Sequence, residues 1–341
     1  GALGGTYRFR TTYNSDGSIR TNSYPGMGGL PEEVVSYTYN EMGMATRVRG
    51  LTAAESLYYV NDTAYSKLGE VLQREFYRGD GGVSPKRTWS TRTYEPATNR
   101  LLSARVHHEI GHGTLVEQHY SYDAAGNVLS IRDEPTAVEQ TDVQCFDYDQ
   151  MRRLTSEWST KNRGEDACAS EPSVDDVGGT SPYWYDYAYD ELGNRTSETR
   201  HGVMTDSEVV NTFHRPEAGE ARPHAVTELN SSAEEDAFTY AYDESGNMVS
   251  RNTARGAQTL EWNAEGQLVE VQSGGNSTSF VYDAEGERLL KDDGASVTLY
   301  LPGTEVSYHK NEFVFSSTRF YEHNDEVVAS RSSLGTVHWI F

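Results

Sequence analysis

The 341 residues suffice for one large domain or two ordinary ones, and a content of 36% apolar and 11% aromatic residues, tyrosine outnumbering phenylalanine 23 to 10, points to an aromatic-rich β protein rather than a disordered chain. Acidic residues outnumber basic ones 52 to 29, and the net charge of −23 repels phosphate backbones and anionic membrane surfaces, which argues against nucleic-acid binding. No run approaches the roughly 18 apolar residues of a membrane helix, and the first ten residues lack the charged-then-apolar pattern of a signal peptide, so any export signal is expected outside this sequence.

Along the chain one unit recurs: an aromatic residue, usually Asp or Asn after it, and Gly two or three residues later. It reads YNSDG from Tyr13, YNEMG from Tyr39, YSKLG from Tyr65, YEPATN from Tyr94 and YDAAGN from Tyr122. It continues as YDQMRR from Tyr148, YDELGN from Tyr189, YDESGN from Tyr242, WNAEG from Trp262 and YDAEGE from Tyr282. These ten units, two without the glycine, start 26, 26, 29, 28, 26, 41, 53, 20 and 20 residues apart. Twenty residues accommodate two strands and their turns, so each unit predicts one β-hairpin and the longer gaps predict loop insertions.

The turn has a mechanism. Asp243 opens a type I turn by accepting a backbone N–H two residues on, and Gly246 supplies the positive φ of the following bulge. Asp123 with Gly126, Asp190 with Gly193 and Asp283 with Gly286 repeat the pair; Tyr122, Tyr189, Tyr242, Trp262 and Tyr282 are the repeat aromatics. Phe238, Tyr240 and Tyr242 alternate with small residues and define one face, expected to be buried. Ten hairpins predict roughly twenty strands and a ribbon of roughly 95 Å, and sheets beyond about ten strands curl. The expected fold is therefore all-β: a single coiled ribbon of repeated antiparallel β-hairpins over residues 1–341, with a tyrosine-lined concave wall. Loop insertions are expected at about 162–182, an acidic Gly/Ser/Pro-rich stretch, and at 211–223.

The YDxxGN units resemble RHS or YD repeats, and the resemblance covers nearly the whole chain. Longer stretches are similar to the exported RHS-repeat proteins of actinobacteria: QCFDYDQMRRLTSEW from Gln144, RPHAVTEL from Arg222, QTLEWNAEGQL from Gln258, LYLPGTEV from Leu299 and TRFYEHNDEVVASR from Thr318. The resemblance implies a hairpin ribbon spiralling into a hollow shell around a C-terminal toxin or effector. It also implies a later DPxGL-type stretch at which the effector is released by autoproteolysis. The sequence stops at Phe341 before any such stretch, so the expectation is a piece of a longer chain that neither cleaves itself nor carries its effector.

Other constellations have plainer readings. His108-Glu109-Ile110-Gly111-His112 matches the H-E-x-x-H of zinc proteases, which needs a helix to bring both imidazoles to one ion. Here Leu101 to His107 reads as a strand, on which the rings would stand about 13 Å apart, so no metal is expected. Cys145 and Cys168 fit neither a CxxC pair nor a zinc site. A disulfide pinning the acidic loop accords with an exported protein, and two buried thiols are the alternative. The acidic clusters Glu234-Glu235-Asp236, Asp292-Asp293 and Asp175-Asp176 read as solvated hairpin tips. Gly26 to Gly29 lacks the helix a phosphate loop requires. Tyrosines and Trp89, Trp158, Trp184, Trp262 and Trp339 read as cross-strand ladders before sugar-stacking platforms. The expected function is a non-enzymatic shell segment, without cofactor, metal or catalytic residue, secreted or at the cell surface. Its expected partners are the effector and the remaining repeats of the parent chain; the alternative is an extracellular glycan-binding or adhesion module.

Overall fold

A computed structural model describes residues 3–78, 86–111, 113–137, 141–164, 166–169, 171–203, 207–217, 219–234 and 237–341. Every regular element among them is a strand. In chain order they are β1 (Arg10–Tyr13), β2 (Ile19–Tyr24), β3 (Glu33–Tyr39), β4 (Ala45–Leu51), β5 (Ser56–Val60), β6 (Asp62–Tyr65), β7 (Val71–Arg78), β8 (Lys86–Tyr94) and β9 (Leu101–His108). There follow β10 (Thr114–Tyr122), β11 (Val128–Asp133), β12 (Asp142–Tyr148), β13 (Leu154–Thr160), β14 (Trp184–Tyr189), β15 (Arg195–Arg200), β16 (Val209–His214), β17 (Glu228–Ser231) and β18 (Phe238–Tyr242). The last ten are β19 (Met248–Thr253), β20 (Gly256–Trp262), β21 (Leu268–Ser273), β22 (Asn276–Tyr282), β23 (Arg288–Asp292), β24 (Ser296–Leu301), β25 (Thr304–His309), β26 (Val314–His323), β27 (Glu326–Ser332) and β28 (Val337–Trp339).

The chain forms two compact units. One comprises Gly1–Arg92, Arg105–Gly111 and Asn276–Phe341, the other Thr93–Ala104 and His112–Gly275. In the first, β1 to β5 make a five-stranded antiparallel sheet, β6 to β8 pair in order, and β22 to β28 form an antiparallel meander. In the second, β10 to β21 pair antiparallel, each with the next in sequence.

The YDxxGN turns from Tyr122, Tyr189 and Tyr242 are built alike. In the unit from Tyr242, the Ser245 and Asn247 amides donate to Asp243 Oδ1 (2.9 and 2.8 Å), Asn247 Nδ2 donates to Oδ2 (3.0 Å), and the Gly246 amide donates to the Asp243 carbonyl (3.1 Å). Gly246 has φ 90°. The register slips by one residue at the aromatic, between Ala241 and Tyr242. The same slip falls at Tyr13, Tyr39, Tyr65, Tyr122, Tyr148, Tyr189, Trp262 and Tyr282. The extra residue lies on the strand after the turn (Val249 in the unit from Tyr242), where a bulge adds twist, while period-two alternation alone puts the aromatic on the face of the residues two and four before it. Phe238, Tyr240 and Tyr242 are indeed half-buried on one face while Thr239 and Ala241 are exposed. In the two turns without glycine the backbone is unchanged in hand: Asn99 (φ 60°) and Arg152 (φ 61°) take the left-handed conformation themselves.

Two sequence expectations are corrected. The strands described outnumber the roughly twenty counted from aromatic turns, because β5, β16, β17 and β24 to β28 flank no repeat aromatic turn. The second irregular stretch begins at Arg215, not at 211, since Asn211 to His214 pair with β17 (Asn211↔Ser231, His214↔Glu228). After β13 the next strand, β14, begins at Trp184.

The first unit buries Val35, Val48, Tyr59, Val60, Phe76 and Tyr321 in one cluster, and Met27, Leu299 and Val306 in another. In the second unit, Val143, Cys145, Trp158 and Ala167 pack around the Cys145–Cys168 disulfide, whose Cα atoms are 5.4 Å apart.

Candidate functional site

Several repeat aromatics tie their hairpin to the chain before it. Tyr122 Oη donates to the Leu101 carbonyl (2.7 Å), Tyr189 Oη to Leu154 (2.8 Å), Tyr39 Oη to Ile19 (2.8 Å) and Trp262 Nε1 to Met248 (2.8 Å). Each of these carbonyls lies two residues after the left-handed residue of the preceding turn. Tyr242 reaches Val226 in the irregular stretch before β17 (2.9 Å). Because a polar hydrogen sits at the tip of an otherwise apolar side chain, one residue supplies both ring burial and a hydrogen bond to the neighbour. In the turns without glycine an arginine takes the asparagine's place. Arg153 Nε donates to Asp149 Oδ2 (2.7 Å), as Asn127 Nδ2 does to Asp123 Oδ2 (2.7 Å). Its guanidinium then lies 4.7 Å over the Tyr189 ring and donates to the Asp190 carbonyl (3.1 Å). Arg100 repeats this with Tyr122 (4.8 Å) and the Asp123 carbonyl (2.9 Å). Amide donors hold the Asp190 and Asp243 carboxyls below their usual range, the side chains of Asn194 and Asn247 foremost.

The densest polar feature is a buried lock in the first unit. Glu33 and Arg319 have side chains with no exposure, and Arg319 Nη1 donates to Glu33 Oε2 at 2.9 Å. Tyr321 Oη donates to the same oxygen and Tyr59 Oη to Oε1, both at 2.6 Å. The two tyrosine rings stack with centroids 3.5 Å apart. Arg331 donates from Nε to both hydroxyls (3.2 Å) and from Nη1 to Glu55 (2.6 Å). Arg319 also grips the Gly26–Gly29 turn, donating to the carbonyls of Pro25 (3.0 Å) and Pro31 (3.1 Å), while Ser317 Oγ donates to the Gly28 carbonyl (2.9 Å). Burial first, and the Glu33 charge second, push both tyrosine hydroxyls far above their ordinary range, so they remain donors. A side chain at Gly50 would run into the Glu33 carboxylate and the Tyr59 ring.

A second group flanks the lock. Arg74 and Arg92 both bind the Glu326 carboxylate, and their hydrogen bonds hold it down at about 2 despite partial burial. His323, 2% exposed, shares a 2.8 Å hydrogen bond between Nε2 and Thr63 Oγ1. Burial, and then the Arg74 charge, lower its pKa to about 4 and keep it neutral near pH 7. No local pattern marks these residues for a role, although Arg319, Tyr321, His323, Glu326 and Arg331 all lie within the stretch TRFYEHNDEVVASR from Thr318.

The sequence motifs resolve as follows. His108 ends a strand, its Nδ1 2.7 Å from Thr88 Oγ1, and Glu109 Oε2 accepts the Arg87 amide (3.1 Å); His112 lies outside the described residues. Among the described residues no group of three His, Cys, Asp or Glu is arranged to hold a metal ion. Asp292 and Asp293 face Lys310 (2.6 Å) and Lys291 (3.4 Å); Glu235 and Asp236 lie outside the described residues. Ser156, Asp186 and His201 form a chain, but the serine hydroxyl donates to the carboxylate (2.6 Å), and it is the carboxylate that meets the imidazole (2.7 Å). A nucleophile needs the imidazole on its hydroxyl, so this order is not that of a hydrolytic triad. Trp158 is buried, and Trp89 and Trp184 stack on His107 and His201.

Fold and site together define an all-antiparallel repeat protein, in which tandem hairpins are hooked to one another and held by a buried ionic lock. No family model matches the chain. It is 25% identical over 278 residues to toxin subunit YenC1 of Yersinia entomophaga, covering 77% of this chain and 26% of that protein. To toxin subunit YenC2 of the same organism it is 26% identical over 273 residues, covering 71% and 26%. Among solved structures it matches the crystal structure of TcdB2-TccC3-Cdc42 with a TM-score of 0.68 at 18% identity, over 97% of this chain and 17% of that one. The crystal structure of TcdB2-TccC3-TEV matches with a TM-score of 0.69 at 18% identity over the same shares. The repeated-hairpin fold is thus shared with these solved structures, and the chain spans about a quarter of the length of the toxin subunits it resembles.

Proposed function

We propose that this chain is a wall segment of an RHS-repeat shell that encloses and shields a toxin or other effector, and that it performs no chemistry of its own. The match of 97% of the chain to the fold of TcdB2-TccC3 is the observation that carries the reading. Sequence similarity to YenC1 along 77% of the chain supports it. The hooks and the lock suit the role, since a wall must stay closed without a large apolar core behind every strand. Effector and remaining repeats of the parent chain are the partners, and the work is done outside the producing cell or at its surface. The affiliation with exported actinobacterial repeat proteins rests on the longer signatures named above.

Protease titration of the parent protein tests this. With the segment intact, the effector survives concentrations that digest it once β14 to β21 are deleted. Equal sensitivity of the effector in both forms would overturn the proposal.

A further inference from the structure

The first unit holds a cleft of about 590 Å³, within the range of small-molecule sites. Three tyrosines line it: Tyr37 and Tyr39 of β3 and Tyr65 of β6. Its rim carries the carboxylates of Glu322 and Asp325, both exposed and neither hydrogen-bonded or ion-paired among the described residues. No Lys or Arg belongs to the lining. Two buried polar atoms of lining residues lack partners. Asn22 gives its Nδ2 to Tyr37 Oη (3.4 Å) and leaves Oδ1 unmatched; His323, 2% exposed, leaves Nδ1 unmatched. A buried polar atom without a partner costs about 1–3 kcal/mol and marks a place where a ligand or water belongs. Carboxylates and an amide oxygen are acceptors only, so the missing partner is a donor, and the uncompensated negative charge makes it a cation.

The repeat itself says which cation. Where arginine precedes the hooked carbonyl, as Arg100 precedes Leu101 and Arg153 precedes Leu154, its guanidinium covers the ring of the hooking tyrosine at 4.8 and 4.7 Å. Tyr39 hooks Ile19 and Tyr65 hooks Ala45 in the same way. The residues before those carbonyls are Ser18 and Met44, neither a cation. The two glycine-less turns thus supply a guanidinium to the hooking ring; Tyr39 and Tyr65, like Tyr242 and Trp262 whose hooked carbonyls follow Ala225 and Asn247, have no arginine at that position, and Tyr39 and Tyr65 lie together in the cleft.

We infer that the cleft formed by Tyr37, Tyr39, Tyr65, Asn22, Glu322 and Asp325 binds a guanidinium group supplied from outside the unit. A planar guanidinium stacks on aromatic faces and bonds carboxylates through several N–H donors at once, which a lysine ammonium does less well. The group can belong to a free small molecule or to an arginine of a peptide.

The full 341-residue chain, labelled at its methionine methyls, tests this by NMR titration, with the Met44 signal assigned by Met44→Leu. The probes are agmatine, an acetylated and amidated Gly-Arg-Gly peptide, and the same peptide with neutral citrulline. Agmatine and the arginine peptide should shift the Met44 signal saturably, and the citrulline peptide should bind about tenfold more weakly or less. Glu322→Gln with Asp325→Asn, two exposed sites that leave the fold intact, should cost a comparable factor. Met44→Arg, which installs a guanidinium in cis, should abolish the response while the other methionine signals stay in place. Tighter binding of the peptide than of agmatine makes a protein segment the source, and equal binding makes it a free molecule; both support the assignment. Absence of a saturable shift at millimolar probe, equal binding of the citrulline peptide, or indifference to the charge-neutral pair would overturn it.

Discussion

Glu33→Gln is the sharpest probe of the ionic lock. The change keeps the side chain's shape and removes the carboxylate that pairs with Arg319, whose side chain is fully buried. Three hydrogen bonds are affected, from Arg319 (2.9 Å), Tyr321 (2.6 Å) and Tyr59 (2.6 Å), and the new amide turns two of its own hydrogens towards donors. Charge-assisted bonds are worth about 1.5–3 kcal/mol each, but the desolvation of the pair already offsets much of that sum. Removing one partner of a buried pair costs about 3–5 kcal/mol, chiefly because a charge is left unpaired. For the first unit, of about 165 residues, a loss near 4 kcal/mol lowers Tm by roughly 10 °C. Calorimetry gives the shift, and amide exchange locates it: β3 and β26 should lose protection while the strands around Trp158 keep theirs. A loss under about 1 kcal/mol, or one spread equally over both units, would refute the reasoning.

Acid should weaken the same unit in two stages. His323 titrates at about 4 in the fold against 6.5 in the open chain, so its contribution is complete above 6.5 and disappears as pH falls to 4, by on the order of 3 kcal/mol. Glu326, held at about 2 against 4.5, adds a further loss as pH falls from 4.5 to 2. His323→Asn should flatten urea midpoints between pH 6.5 and 4, and an unchanged slope there rejects the assignment. Reducing Cys145–Cys168, separated by 23 positions, should cost about 3 kcal/mol on the chain-entropy view and open Asn162–Pro182 to trypsin; an uncut loop counts against it. Arg152→Gly relieves a left-handed arginine at φ 61° and should stabilise the second unit by up to about 1 kcal/mol, whereas Gly126→Ala at φ 96° should destabilise it similarly, both read from urea midpoints. Matching signs for the two would contradict the shared turn geometry.

The hairpin unit was legible because its chemistry is local: an Asx turn, a left-handed position and an aromatic lie within six residues. Units lacking glycine were legible for the same reason, since Asn99 and Arg152 adopt the backbone that glycine would. The lock was not legible, because Glu33 meets Arg319 across 286 positions and no pattern within one strand names its partner. A weaker signal was present. Glu33 is in phase with Val35, and Arg319 with Ser317, Tyr321 and His323, so period-two reading places these charges on the inward face. Charged residues are ordinarily assigned to solvent, and only their phase contradicts that habit. The cleft escaped notice for a related reason: it is assembled from turns and strand ends that lie far apart in sequence.

The separation of Glu33 from its partners also sets an order of events on the ribosome. At about 5–20 residues per second, Arg319 emerges roughly 15–60 s after Glu33. Throughout that interval the amino-terminal sheet must persist with its carboxylate still wet, while the second unit, Thr93–Ala104 and His112–Gly275, is synthesised in full before Arg319 and is free to mature first. The latch of the first unit is thus made only after the second unit, and it closes on a carboxylate synthesised 286 residues earlier.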